Sequence, residues 1–146
     1  MKLCLACSAG GHLTEIQQLT SAFKTQKRFY ITFLREDSKN LKNAHFVEDP
    51  KRNPLRLIKT IFQSYSVLKK ESPDVIITTG AGVAVPMCYL AKIMGKKVIF
   101  IESFCRVNKP SLSGKFVYPI ADLFLVQWEG MLMHYGKRAK YWGAVF

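Results

Sequence analysis

Acidic residues are scarce in this chain. Only 10 Asp and Glu stand against 22 Lys and Arg in 146 residues, a net charge of +12. That surplus points to an anionic partner: nucleic acid, an anionic membrane surface or a phosphorylated substrate. Long apolar runs are lacking too. No stretch approaches the ~18 apolar residues of a spanning helix, and the short run after Lys2 is too brief for a signal peptide. A protein of this kind is expected to lie on a membrane if it meets one. Cysteine is sparse: Cys4, Cys7, Cys88 and Cys105. Cys4 and Cys7 have CxxC spacing, but on a strand an i, i+3 pair points to opposite faces, which suits neither zinc nor a redox pair. No second CxxC or nearby His completes a metal set, so the cysteines read as reduced, buried thiols of a cytosolic protein. Neither GxGxxG nor a Walker loop occurs, and no cofactor or metal is expected. The basic residues do not alternate with exposed aromatics on one strand face and form no recognised binding motif, which sets nucleic acid aside.

What is present is a well-patterned globular chain. Hydrophobic residues make up 49% and charged residues 22%, and the length fits one domain, 1–146, with a proper core. No repeat, low-complexity run or linker interrupts it. Strands are predicted at 2–8, 28–34, 74–80, 96–103 and 121–127, with a short one at 44–49 and a final strand or tail at 139–146. Helices are predicted at 12–23, 54–70, 83–95 and 129–136, and 104–115 reads as a polar loop. Near-continuous apolar strands separated by helices predict an α/β fold: a Rossmann-like parallel sheet with helices on both faces. Ligands of such sheets sit beyond the carboxyl ends of the strands. That directs attention to the loops at 8–12, 79–83, 102–115 and 127–130.

The first of these reads Ser8-Ala9-Gly10-Gly11-His12. Glycines at a strand-to-helix junction let backbone N–H groups approach a phosphate, and the helix N-terminus favours negative charge. A plain tight turn explains the pair equally well. His12, in the first helical turn, is either a neutral proton acceptor or a structural histidine. The second loop, with Gly80 and Gly82, repeats the device at the same sheet edge, which favours an anion-cradling crevice over either loop alone. In the third, Glu102 and Ser103 end a strand and Arg106 follows. A carboxylate there accepts from sugar hydroxyls, serves as a base with His12 across the cleft, or simply pairs with an Arg. Arg106 can grip a phosphate with two donors.

The helix 54–70 is strongly amphipathic. Leu57, Ile58, Ile61, Phe62, Tyr65 and Leu68 share one arc, and Arg56, Lys59 and Lys70 lie opposite, with Lys69 breaking the rule. No acidic residue occurs between Asp49 and Glu71, whereas Lys51, Arg52, Arg56, Lys59, Lys69 and Lys70 do. The expectation is an ordinary covering helix with its apolar arc inward. Its cations, Arg56, Lys59, Lys69 and Lys70, then draw the domain to an anionic membrane.

Together "SAGGHLTEI", "ITTGAGVAVPMCYLAKIMGKKVIFIES", "AD.F.VQWE" and "YWGAVF" resemble the acceptor-side subunits of two-part glycosyltransferases. These are the membrane-recruiting subunit of the eukaryotic dolichol-linked N-acetylglucosamine transferase and the matching bacterial "enhancer" subunit of capsule and exopolysaccharide synthesis. The chain is also similar to the N-terminal half of the one-chain glucosaminyltransferase of peptidoglycan synthesis. The resemblance implies half of a GT-B fold, with the nucleotide-sugar site on a separate partner and peripheral attachment at the cytoplasmic face of a membrane. It implies that Ser8, Gly10, Gly11, Gly80, Gly82, Ser103 and Arg106 meet a polyprenyl-diphosphate-linked sugar, and that His12 or Glu102 faces its acceptor hydroxyl. Trp142 and Phe146, in the terminal segment, would pack on the partner. A non-catalytic recruiting module, with all chemistry in the partner, is the alternative.

Overall fold

Apolar, β-branched segments separated by amphipathic ones build a sheet covered from two sides, and the chain does this seven times. In a computed structural model that describes residues 1–51 and 53–146, the strands are β1 (Lys2–Cys7), β2 (Lys27–Thr32), β3 (Ala44–Phe46), β4 (Val75–Gly80), β5 (Lys97–Ile101), β6 (Leu123–Val126) and β7 (Ala139–Tyr141). All adjacent pairs are parallel and the spatial order is β3-β2-β1-β4-β5-β6-β7. The chain runs outward from β1 to β3, returns to β4 on the other side of β1, and proceeds outward again. The switch point therefore lies between β1 and β4, where such sheets open a crevice at their carboxyl edge.

The helices are α1 (Gly11–Gln18), continued by a 3₁₀ turn at Leu19–Phe23, α2 (Pro54–Glu71), α3 (Ala84–Ile93), α4 (Leu112–Val117) and α5 (Leu132–Tyr135). One core cluster joins Cys4, Ile31, Ile76, Phe100 and Phe124 of the sheet to Leu68 of α2, Met87 and Cys88 of α3 and Tyr135 of α5. The other joins Leu3, Leu5, Cys7, Ile77 and Ile101 to Leu13 and Ile16 of α1. Cys4 and Cys7 accordingly face opposite sides of the sheet. Burial pushes the thiols of Cys7 and Cys88 up to about 12, so both behave as small packing groups. Cys105 is exposed, contrary to the expectation of four buried thiols.

Two further differences from the sequence expectations have physical causes. The segment 104–115 is not wholly a loop. Ser111 caps α4 by accepting from the Gly114 N–H at 2.8 Å, a local signal that six residues of helix leave almost without periodicity. The larger difference is α2. Its ends follow the rules: Asn53 Oδ1 accepts from the Leu55 and Arg56 N–H groups, Pro54 opens the first turn, and Ser72 stops the helix in the left-handed region at φ 42°. Most of its apolar arc, however, faces outward, and of the arc only Leu68 is fully buried. Thr60, Ser64 and Leu68 are buried, whereas Leu55, Ile58, Phe62 and Tyr65 are exposed, Leu55 and Phe62 at 76% and 70%. Small hydroxyl residues seat the helix closely, with Thr60 Oγ1 within hydrogen-bond reach of the carbonyls of Glu48 at 2.7 Å and Arg56 at 2.9 Å. Arg56 and Lys59 pair with Glu48 at 3.6 and 3.0 Å, and Lys69 and Lys70 are exposed. Arg52 lies outside the described residues.

Asp122 ties the start of β5 to the preceding helix. It accepts from the Val98 N–H at 2.8 Å, Lys92 Nζ at 2.9 Å and Lys97 Nζ at 3.2 Å. Burial works against its charge, but these three donors outweigh it and hold the carboxyl at about 2, below its ordinary 3.8. A depressed folded value stabilises the fold fully above the unfolded value, and that stability is lost as the pH falls through about 2. Asp122→Asn should therefore cost about 1 kcal/mol at neutral pH, after allowance for solvent screening. The deficit should shrink steadily below pH 3.8 in urea unfolding measured against pH.

Candidate functional site

The loops at the carboxyl edge enclose a cavity of about 1200 Å³ between β1 and β4. Gly11, His12, Thr14 and Glu15 of α1 line one wall, Ala81, Gly82, Val85 and Pro86 the second, and the 103–113 segment the third. Leu57 of α2, Leu112 and Phe116 of α4, and Phe146 form an apolar rim, with Lys51 and Arg106 beside it. Leu57, Leu112 and Phe116 are themselves exposed, so the rim passes without a break onto the apolar arc of α2.

The sequence candidates divide. Gly11, His12, Gly82, Ser103 and Arg106 face the cavity. Ser8, Gly10 and Gly80 are not among its lining residues. Gly10 takes φ +93° at the turn into α1, and its N–H donates to Asp37 Oδ2 at 2.5 Å, so that donor is already occupied. Its carbonyl accepts from Leu13 and Thr14, which leaves the N–H groups ahead of them as the free ones of the first turn. Gly80 takes φ +102°, and a Cβ there would lie 3.0 Å from Ser113 Oγ. Ala81 follows in the left-handed region at φ 74°, a strained position for alanine on the cavity wall. Trp142 and Phe146 are both exposed, and Phe146 also packs on Phe104 with ring centroids 5.3 Å apart.

Glu102 departs most from expectation. It is 1% exposed, pairs with no Arg among the described residues, and does not line the cavity. Its Oε1 accepts from the Ser103 N–H at 2.9 Å. Its Oε2 accepts from the Ser111 N–H at 3.0 Å, the Ser111 hydroxyl at 3.0 Å and the Tyr135 hydroxyl. Burial, then the Glu102 carboxylate, push the Tyr135 phenol far above its ordinary value, which keeps it a donor. The carboxylate that does stand beside His12 is Glu15, whose Oε2 lies 3.7 Å from His12 Nδ1. The sequence reading missed Glu15. The signal that could have found it is spacing: on a helix, i and i+3 share a face.

The Glu102 cluster is packed to its limit. A Cβ on Gly114 would lie 2.1 Å from the Tyr135 hydroxyl and 2.6 Å from Glu102 Oε2. Gly114→Ala should cost ~2–4 kcal/mol by splitting the cluster. Tyr135→Phe, which removes one donor without crowding, should cost ~1–3 kcal/mol. Urea denaturation of both variants checks the order.

The family model "Oligosaccharide biosynthesis protein Alg14 like" matches residues 51–145. The chain is 32% identical over 170 residues to the UDP-N-acetylglucosamine transferase subunit ALG14 of Candida albicans, covering 97% of this chain and 77% of that one. The human subunit of the same name is 26% identical, covering 94% and 80%. The Schizosaccharomyces pombe subunit is 50% identical over 78 residues, an alignment spanning 50% of this chain and only 37% of that protein. Among solved structures, Acinetobacter baumannii MurG superimposes with a TM-score of 0.80 at 12% identity, covering 99% of this chain and 45% of the other. The UDP-N-acetylglucosamine 2-epimerase of Rickettsia bellii gives 0.81 at 17% identity, with the same coverage. Such distant likeness shows the fold, the Rossmann-like unit found in GT-B glycosyltransferases and these epimerases, and the chain spans under half the length of either protein. With its carboxyl-edge cavity and a family match over most of its residues, the chain belongs to the Alg14 family.

Proposed function

We propose that this chain is the acceptor-side subunit of a two-part glycosyltransferase. It binds a polyprenyl-diphosphate-linked sugar, and it recruits and activates a separate nucleotide-sugar-binding subunit at the cytoplasmic face of a membrane. The assembly of lipid-linked oligosaccharide, capsule or exopolysaccharide units falls within this reading. The observation that carries it is the two-sided character of the cavity. His12, Thr14, Glu15 and Ser103 give it a polar side, and Leu57, Leu112 and Phe116 form an apolar rim that shares Leu57 with the exposed arc of α2. A sugar diphosphate on a long hydrocarbon tail presents the same division, polar at one end and apolar along the rest. The description of the relatives as subunits of a UDP-N-acetylglucosamine transferase supports a partner chain.

In this reading the first-turn N–H groups around Gly11, the backbone at Gly82, and Ser103 receive the diphosphate, with Arg106 at the rim as a cation. His12 faces the acceptor hydroxyl. Glu102 positions the third wall and takes no proton from the acceptor. Membrane contact is peripheral. Among the described residues no helix is long and apolar enough to cross a membrane, and Leu55, Ile58, Phe62 and Tyr65 enter the interface between the exposed cations of α2. Trp142 offers an exposed ring to the partner. The inward turn of Glu102 also favours a second reading, a recruiting module whose partner performs all the chemistry.

Turnover of a lipid-linked acceptor by the reconstituted pair separates the two readings. His12→Ala should lower kcat ~100-fold with the complex intact. Turnover at the parent rate would assign the chemistry to the partner. A Leu55→Ser, Phe62→Ser double variant should lose flotation with phosphatidylglycerol-containing vesicles by roughly 10-fold or more, since each side chain gives up the gain of apolar burial. Its melting temperature should not change, because both residues are already exposed. Undiminished flotation would remove α2 from the membrane contact.

A further inference from the structure

Glu15 has no part in the function set out above, yet it is the most constrained carboxylate on the cavity wall. It is 3% exposed and sits one turn after His12. Its Oε1 accepts from the Phe104 N–H and from Gln127 Nε2, the latter at 2.7 Å. The Gln127 amide is itself held at both ends. Its Nε2 also donates to the Glu102 carbonyl at 2.9 Å, and its Oε1 accepts from the Val145 N–H at 2.8 Å. The end of the Gln127 amide that meets Glu15 is therefore fixed as a donor. This leaves Oε2 of Glu15, 3.7 Å from His12 Nδ1. That nitrogen is buried with no hydrogen-bond partner among the described residues. The His12 main chain is anchored as well, since Thr79 Oγ1 donates to its carbonyl at 2.9 Å. His12 lines the cavity and its side chain is partly exposed although Nδ1 is buried, so the exposed part of the ring lies on the side away from Nδ1.

We propose that Glu15 is a positioning residue: Oε2 accepts the Nδ1–H of His12 and holds the imidazole in the tautomer whose Nε2 lone pair faces the cavity. The inference rests on the reading of His12 as the group that faces the acceptor. A neutral imidazole has one N–H and one bare nitrogen, and the nitrogen beside a carboxylate carries the hydrogen. The present separation exceeds a hydrogen bond by about half an ångström. Such contacts commonly tighten when a ligand fills the site. Any other tautomer would bury a bare Nδ1 against a carboxylate oxygen, which is repulsive and leaves both unpaired.

The donors at Oε1 make the test sharp. In Glu15→Gln the amide oxygen must stay where the Phe104 N–H and Gln127 Nε2 point, so the new NH₂ takes the place of Oε2 and donates to Nδ1. The tautomer then switches to Nε2–H. Long-range ¹H–¹⁵N spectra of the imidazole in the ¹⁵N-labelled chain read this directly and need no partner or substrate. The parent should show Nδ1–H and the Gln variant Nε2–H. The same tautomer in both would overturn the proposal whatever the enzyme activity. Glu15→Ala removes the acceptor at Nδ1 altogether and should give a mixture of tautomers. It decides the matter if Glu15→Gln does not fold, and a parent-like spectrum there overturns the proposal. In the reconstituted pair, a switched tautomer should lower kcat ~100-fold with KM little changed. A switch with unchanged kcat would uphold the positioning role of Glu15 and overturn the acceptor-facing role of His12.

Discussion

The third wall of the cavity depends on one buried carboxylate. Glu102 ends β5 and collects donors from Ser103, Ser111 and Tyr135, while its own carbonyl receives Gln127 from the end of β6. Removing water from a carboxylate costs several kcal/mol, and only a full set of hydrogen bonds offsets it. A partial set would be worse than an apolar cluster. The segment from Ser103 to Gly114, α5 and the end of β6 must therefore assemble together or not at all. This is why no side chain is tolerated at Gly114, and why Ser103, Ser111 and Ser113 reach the cavity from fixed positions. A charge that looked catalytic in the sequence organises the walls instead.

Much of the fold was legible because a parallel sheet is written in runs. "VIITTG" and "KVIFI" are apolar and β-branched on both faces, and such segments are strands only if covered from two sides. Boundaries were less legible. The helix from Gly11 passes into a 3₁₀ turn at Leu19, and α4 is too short to show a period. At the site, loop placement could be read: His12, Gly11, Gly82, Ser103 and Arg106 do converge on the cavity. Side-chain direction could not. The sequence places Glu102 at the carboxyl edge, but its inward turn depends on Tyr135, 33 residues later, and on Ser111.

The helix α2 shows the same limit in another form. Its period is unmistakable, yet a period states only that two faces differ and not which medium each one meets. The packing rule that sends the apolar face to the core assumes water on the other side. Here Thr60, Ser64 and Leu68 make the inner seam. The core does not need the apolar arc, because α3 already supplies Met87, Cys88 and Ala91 to that face of the sheet. An apolar arc largely released from the core, flanked by lysines and sharing Leu57 with the rim of the cavity, is the surface that the proposed membrane contact uses.

The charge around the cavity is not uniform, and this bears on where an anion would bind. The chain carries +12 overall, yet the β1 loop holds Asp37 against the Gly10 N–H and Glu15 behind His12. Both lower the positive potential at the first-turn N–H groups around Gly11. The β4 loop carries no carboxylate of its own, although Asp49 also lines the cavity, and among the described residues the cations on the cavity border are Lys51 and Arg106. In the proposed reading, a diphosphate that meets both the Gly11 and the Gly82 backbone is therefore drawn toward Gly82 and Arg106, on the side away from Asp37. In the same reading, the sugar it carries extends toward α1 and His12. The two glycine loops are alike in the sequence but unequal in charge. In the proposed reading, that inequality sets the phosphates nearer the β4 loop and the reacting end nearer His12.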